Sequence, residues 1–79
     1  MDWITIVLED GRQRYNARTA MGWRLHIYDW ANGRVDWSID DATGNIELAS
    51  GRAASVDQAK REVERALEEL GGKHRPANP

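Results

Sequence analysis

The segment WRLHIYDWANGRVDWSID, Trp23 to Asp40, limits what this chain can fold into more than any other stretch. Two runs of period two flank Ala31-Asn32-Gly33, the pattern of an antiparallel sheet covered on one face. The length of the turn decides which residues share that face. A two-residue loop at Asn32-Gly33 is the commonest hairpin signal. It would set Leu25 opposite Asp40, Ile27 opposite Ser38 and Asp29 opposite Asp36, mixing apolar with polar residues and placing like charges across from each other. A three-residue loop, Ala31-Asn32-Gly33 with Gly33 left-handed, moves the register by one and separates the faces. Leu25 then meets Ile39, Ile27 meets Trp37 and Asp29 meets Val35. On the other side Arg24 meets Asp40, His26 meets Ser38, Tyr28 meets Asp36 and Trp30 meets Arg34. This register predicts an ion pair at Arg24–Asp40 and a cation over an indole at Arg34–Trp30, each worth about 1 kcal/mol or less.

The flanking segments extend the sheet. WITIVL, Trp3 to Leu8, is rich in β-branched residues and reads as a first strand closed by a turn at Asp10-Gly11. RQRYNARTAMG is polar and reads as an edge strand through about Ala17, with a long loop as the alternative. A loop from Asp41 to Gly44 leads into IELAS, setting Ile39 against Ile46 and Trp37 against Leu48. The period then changes. Val56, Ala59, Val63, Ala66, Leu67 and Leu70 recur at helical spacing, Ser55 and Gln58 form a capping-box pattern, and Gly71-Gly72 is the expected stop. The expectation is an α+β domain over residues 1–72: a four- or five-stranded antiparallel sheet, a meander of hairpins, with one C-terminal helix on one face. Residues 73–79 are expected to be a disordered tail.

The covered face then takes Trp23, Leu25, Ile27, Val35, Trp37, Ile39, Ile46 and Leu48, with Ile4, Ile6 and Leu8. The outer face keeps Arg24, His26, Tyr28, Trp30 and Arg34, with Asp36, Ser38, Asp40, Glu47, Trp3, Thr5 and Val7. Such a face can simply be solvated. Yet Arg, Tyr and Trp are the residues that dominate binding hot spots, and a marginal domain of 79 residues leaves little large apolar area wet without use. Arg24, His26, Tyr28, Trp30 and Arg34 are therefore the expected binding residues.

Composition narrows the chemistry. There is no Cys, so no disulfide, thiolate metal site or Cys nucleophile. The two His, His26 and His74, lack ligand spacing, and no metal or other cofactor is expected. A His26–Ser38 pair could serve nucleophilic catalysis, but no oxyanion hole accompanies it, and the chain is not expected to be an enzyme. DDATGN lacks the spacing and distal Glu of a calcium loop, and the glycines match no phosphate-binding fingerprint. The formal charge of −2 and pI near 5.6 disfavour extended nucleic acid as a partner. With no apolar run longer than Ile6–Leu8, no membrane partner is expected, and the cytoplasm is the expected location. Arg24 and Arg34 beside Tyr28 and Trp30 would suit a small nucleotide. Arg12, Arg14 and Arg18 make the DGRQRYNAR hairpin locally basic.

Residues 23–70 also resemble small bacterial and phage proteins in which a Trp-bearing hairpin and a strand ending ASGxAxS lead into an AKxxxExAL helix; here these are ASGRAAS and AKREVERAL. The resemblance implies a phage or mobile-element protein of the anti-defence type, as anti-CRISPR proteins and sequesterers of nucleotide immune signals are, acting in a host bacterial cytoplasm. It carries no catalytic residue. The function so implied is a non-enzymatic inhibitor that occupies a defence protein's surface or sequesters a nucleotide signal. The alternative is a homodimerisation module packing through its outer sheet face.

Overall fold

The computed structural model describes residues 2–74. Five strands, β1 (Ile4–Val7), β2 (Gln13–Arg18), β3 (Arg24–Asp29), β4 (Val35–Asp40) and β5 (Glu47–Ala53), precede one helix, α1 (Val56–His74). The strands form a single antiparallel sheet in the order β1-β2-β3-β4-β5, and α1 packs across β3, β4 and β5. The α+β meander with one covered face is thus the observed fold.

The β3–β4 register is the one that separates the faces. Leu25 lies opposite Ile39, Ile27 opposite Trp37, Tyr28 opposite Asp36 and Arg24 opposite Asp40. The Trp30 N–H donates to the Arg34 carbonyl at 3.1 Å across the three-residue loop. Gly33 is left-handed, at φ 81°, and Ala31 joins it at φ 62°, its N–H held by the Asp29 carboxylate at 2.9 Å. Leu25, Ile27, Ile39 and Val63 are fully buried at the centre of the core, with Val35, Trp37 and Ala59 around them. The expected helical stripe supplies the opposite wall, and Trp23 and Leu48 pack at its margin. At the helix start Ser55 Oγ accepts the Gln58 N–H at 3.1 Å. Gln58 Oε1 reaches back to the Ala54 N–H at 3.2 Å, one residue before the cap.

Four expectations are corrected. The polar segment is strand β2, but it is interior, paired with β1 on one side and β3 on the other; the edges are β1 and β5. The faces of β1 are reversed: Thr5 lies opposite Tyr15, which lies opposite core residue Ile27, so Trp3, Thr5 and Val7 share the helix side while Ile4, Ile6 and Leu8 share the outer side. The helix does not cover β1, so neither face of WITIVL is decided by burial; Ile4 is 65% exposed, while Trp3 and Tyr15 meet the Lys60 ammonium at 6.0 and 5.3 Å.

The β4–β5 register differs too. Ile39 faces Ala49 and Trp37 faces Gly51, with an irregularity between Ile39 and Asp40, and β5 extends beyond IELAS to Ala53. The loop closes at Asp41–Ile46, its main chain bonded at 2.9 Å, with Thr43 Oγ1 donating to the Asp41 carboxylate at 2.7 Å. Ile46 is left 59% exposed instead of in the core. Finally, α1 runs through Gly71-Gly72 to His74. Glycine weakens a helix without forbidding it, and the first residue that cannot continue one is Pro76. The remainder of the expected tail, 75–79, lies outside the described residues.

Candidate functional site

The outer face is built on β3, whose even-numbered side chains point away from α1. His26, Tyr28 and Trp30 stand in a file: the His26 and Tyr28 rings are 6.4 Å apart at 24°, and those of Tyr28 and Trp30 6.0 Å apart at 22°. Guanidiniums from neighbouring positions close over them. Arg12 lies 5.1 Å and Arg34 6.0 Å from the Trp30 ring, and Arg14 5.8 Å from that of Tyr28. The expected cation over Trp30 is therefore present, and a second one from β2's end joins it.

Asp36 organises the far side of the file. Its carboxylate accepts the Trp30 Nε1–H at 3.0 Å, the Arg34 Nε–H at 3.1 Å and the Arg52 Nε–H at 3.3 Å. Partial loss of water pushes the Asp36 pKa up, but hydrogen bonds from Arg34, Trp30 and Arg52 outweigh this and hold it below the ordinary 3.8. The sequence reading of β5 stopped at Ser50 and so missed Arg52; continued alternation from Ile46 and Leu48 would have put it on the covered face, and the irregularity between Ile39 and Asp40 is what brings it to the outer face opposite Asp36.

His26 does not engage Ser38. Its Nδ1 lies 3.0 Å from Asn16 Oδ1 and its Nε2 3.4 Å from Asp40 Oδ2. Asp40 thus holds the histidine, and the expected Arg24–Asp40 ion pair is not among those formed by the described residues. Burial lowers the His26 pKa from its ordinary 6.5; Asp40 opposes this, and Arg14 and Arg24 add to the lowering.

Arginine is concentrated here. The six arginines before the helix, Arg12, Arg14, Arg18, Arg24, Arg34 and Arg52, all occupy outer-face positions by register or by contact with the aromatic file. Arg12 pairs with Asp10, and Arg34 and Arg52 with Asp36. Arg14, Arg18 and Arg24 have no carboxylate partner among the described residues, and Arg18 lies directly opposite Arg24. Arg24 leans away from Arg18, its Nη1 3.0 Å from where a Cβ on Gly44 would sit. These two, with Asp2, Ile4, Asn16 and His26, line an open depression of about 470 Å³. A second depression, about 550 Å³, lies on the other side of the file between Tyr28, Arg34, Ser38, Ser50 and Arg52.

Comparison of the chain with protein-family models, with curated proteins and with solved structures finds no match. The reading of this face therefore rests on its own chemistry. Arg24, His26, Tyr28, Trp30 and Arg34 are brought together as the alternation predicts. Arg12, Arg14, Arg18 and Arg52 join them, and so do Ile4, Ile6 and Leu8 from β1. No group of three or more His, Cys, Asp or Glu able to hold a metal ion occurs among the described residues. No helix among them is long and apolar enough to cross a membrane.

Proposed function

We propose that this chain is a non-enzymatic binding protein whose outer sheet face docks on an acidic surface of another protein. The observation that carries the proposal is a set of arginines, Arg14, Arg18 and Arg24, that have no carboxylate partner among the described residues and stand beside a file of aromatic rings already clad in guanidiniums. Guanidiniums with no carboxylate of their own are a natural place for a partner's carboxylates, which would accept charge-assisted hydrogen bonds from them. The cladding also favours a protein over a nucleotide. Trp30 has Tyr28, Arg12 and Arg34 around it, so a base would have to displace a contact in order to stack. The same packing holds the arginines in place, and ordered arginines lose less freedom on binding. In the setting that the resemblance implies, the partner would be a component of a bacterial defence system and the effect its inhibition by occupation.

The test is affinity capture from a bacterial lysate by the wild type, by Arg18→Glu and by Tyr28→Ala/Trp30→Ala. Arg18→Glu reverses the charge at an exposed position, so it should leave thermal stability within about 0.5 kcal/mol of the wild type while abolishing capture. Capture by the wild type should also weaken between about 0.1 M and 1 M salt as the Debye length shrinks from ~10 to ~3 Å. A protein retained equally by both folded variants would remove the face from consideration. A bound nucleotide seen by native mass spectrometry, absent from the aromatic double variant, would replace the acidic protein with a nucleotide ligand.

A further inference from the structure

Sheet edges present unpaired backbone donors and acceptors and are usually blunted by charge, proline or a cover. The two edges here differ. β5 carries Glu47 and Arg52 and runs directly into α1, which packs against it. β1, Ile4–Val7, has the sequence ITIV, with neither a charge nor a proline, and both Ile4 and Val7 are 65% exposed. It lies beyond the strands that α1 crosses.

The direction of its amides follows from the first hairpin. The Leu8 N–H donates to the Arg12 carbonyl at 2.8 Å, and hydrogen-bonded positions recur at every second residue of an antiparallel pair. Ile6 and Ile4 therefore bond to β2, while the amides of Trp3, Thr5 and Val7 face the open edge.

We propose that this edge pairs with the same edge of a second copy, antiparallel about a two-fold axis at Thr5. That register sets Thr5 opposite Thr5 of the second copy, Trp3 opposite its Val7 and Ile4 opposite its Ile6. Every pair is of a type that stabilises neighbouring strands: Thr with Thr, aromatic with β-branched, and β-branched with β-branched. Centring on Ile6 instead would put Trp3 opposite Glu9. Pairing β1 to β5 of another copy would be heterologous and open-ended, and would lay ITIV along a strand bearing Glu47 and Arg52. Packing outer face on outer face would bury Arg14, Arg18 and Arg24 of both copies away from water, which is costly for charges without partners. The β1 pair avoids all three difficulties. It yields one ten-stranded sheet with an unbroken outer face, in which Ile4, Ile6 and Leu8 of both copies form an apolar strip between two arginine-clad aromatic files.

Sedimentation equilibrium over a wide concentration range tests this. The wild-type mass should rise from 9.0 kDa to twice that value and no further. Thr5→Pro removes an N–H that the monomer does not use, a substitution edge strands tolerate. With an unchanged circular dichroism spectrum, it should raise the dimer dissociation constant by about tenfold or more, a loss of at least ~1.4 kcal/mol. If Thr5→Pro does not fold, Thr5→Lys takes its place at the same exposed position, with the same weakening expected because the two-fold axis would set two like charges directly opposite each other. A wild type that stays at the monomer mass throughout overturns the proposal. So does a folded variant that dimerises as tightly as the wild type.

Discussion

Two glycines show how differently the same residue can be used. An ideal Cβ at Gly51 would sit 2.7 Å from Cζ2 of Trp37 and 2.8 Å from its Cε2 and Nε1. The indole lies flat across β5, and only glycine lets it do so. Gly51→Ala should therefore force the ring or the strand to move and cost about 1–3 kcal/mol, the usual range for overpacking. Gly71, inside α1, has nothing within 4 Å of the same ideal position. Gly71→Ala should stabilise by up to about 1 kcal/mol through helix propensity alone. Urea unfolding of both variants checks the pair. An unchanged midpoint for Gly51→Ala would mean that Trp37 is not held against β5 as described.

At the scale of elements, legibility followed burial. The β3–β4 register and the stripe of α1 could be read from the sequence because burial on one side enforces a period, and because one loop length alone separates the faces. The β4–β5 register could not, since it is set by the hydrogen bonds of Asp41 and by the fit of Trp37 on Gly51, neither of which leaves a periodic trace. The faces of β1 were illegible for a related reason: WITIVL is apolar on both sides, and no helix lies over it to choose. The site was legible where it rests on β3, and was missed where it depends on β2 being interior and on β5 reaching Arg52. The same uneven cover predicts uneven stability. β3 and β4 contribute Leu25, Ile27, Val35, Trp37 and Ile39 to the core, whereas the first hairpin reaches it through Trp3, Tyr15 and Ala17. In dilute solution the amides of Ile4 and Ile6 should exchange with deuterium well before those of Leu25 and Ile27, because local opening needs to break few apolar contacts. Equal protection at the two places would show that the hairpin opens only with the whole domain.

For the molecule as a whole, the outer face links charge to stability. Burial lowers the pKa of His26 below its ordinary 6.5, against the pull of Asp40 and with the push of Arg14 and Arg24. The unfolded chain, holding this histidine at its ordinary value, therefore binds more protons than the folded one as the pH falls past 6.5. Stability must drop through that window and level off once the pH is below the lowered folded value. The carboxylates act in a separate range. Asp36, also held below its ordinary 3.8, contributes stability that is fully present above that value and is lost as the pH falls through its folded pKa. Thermal unfolding of the wild type should show both falls, the first just below neutrality and the second in acid. His26→Gln keeps an amide that can meet Asn16 and Asp40 but cannot titrate, so it should flatten the first fall and leave the second. A first fall that survives the substitution would assign it to another group and leave His26 without a share in it. If the flattening is seen, protonation adds a positive charge beside Arg14 and Arg24 under the same conditions that weaken the fold. Docking on an acidic partner would then oppose acid unfolding, because the partner's carboxylates favour the protonated face that the free molecule resists.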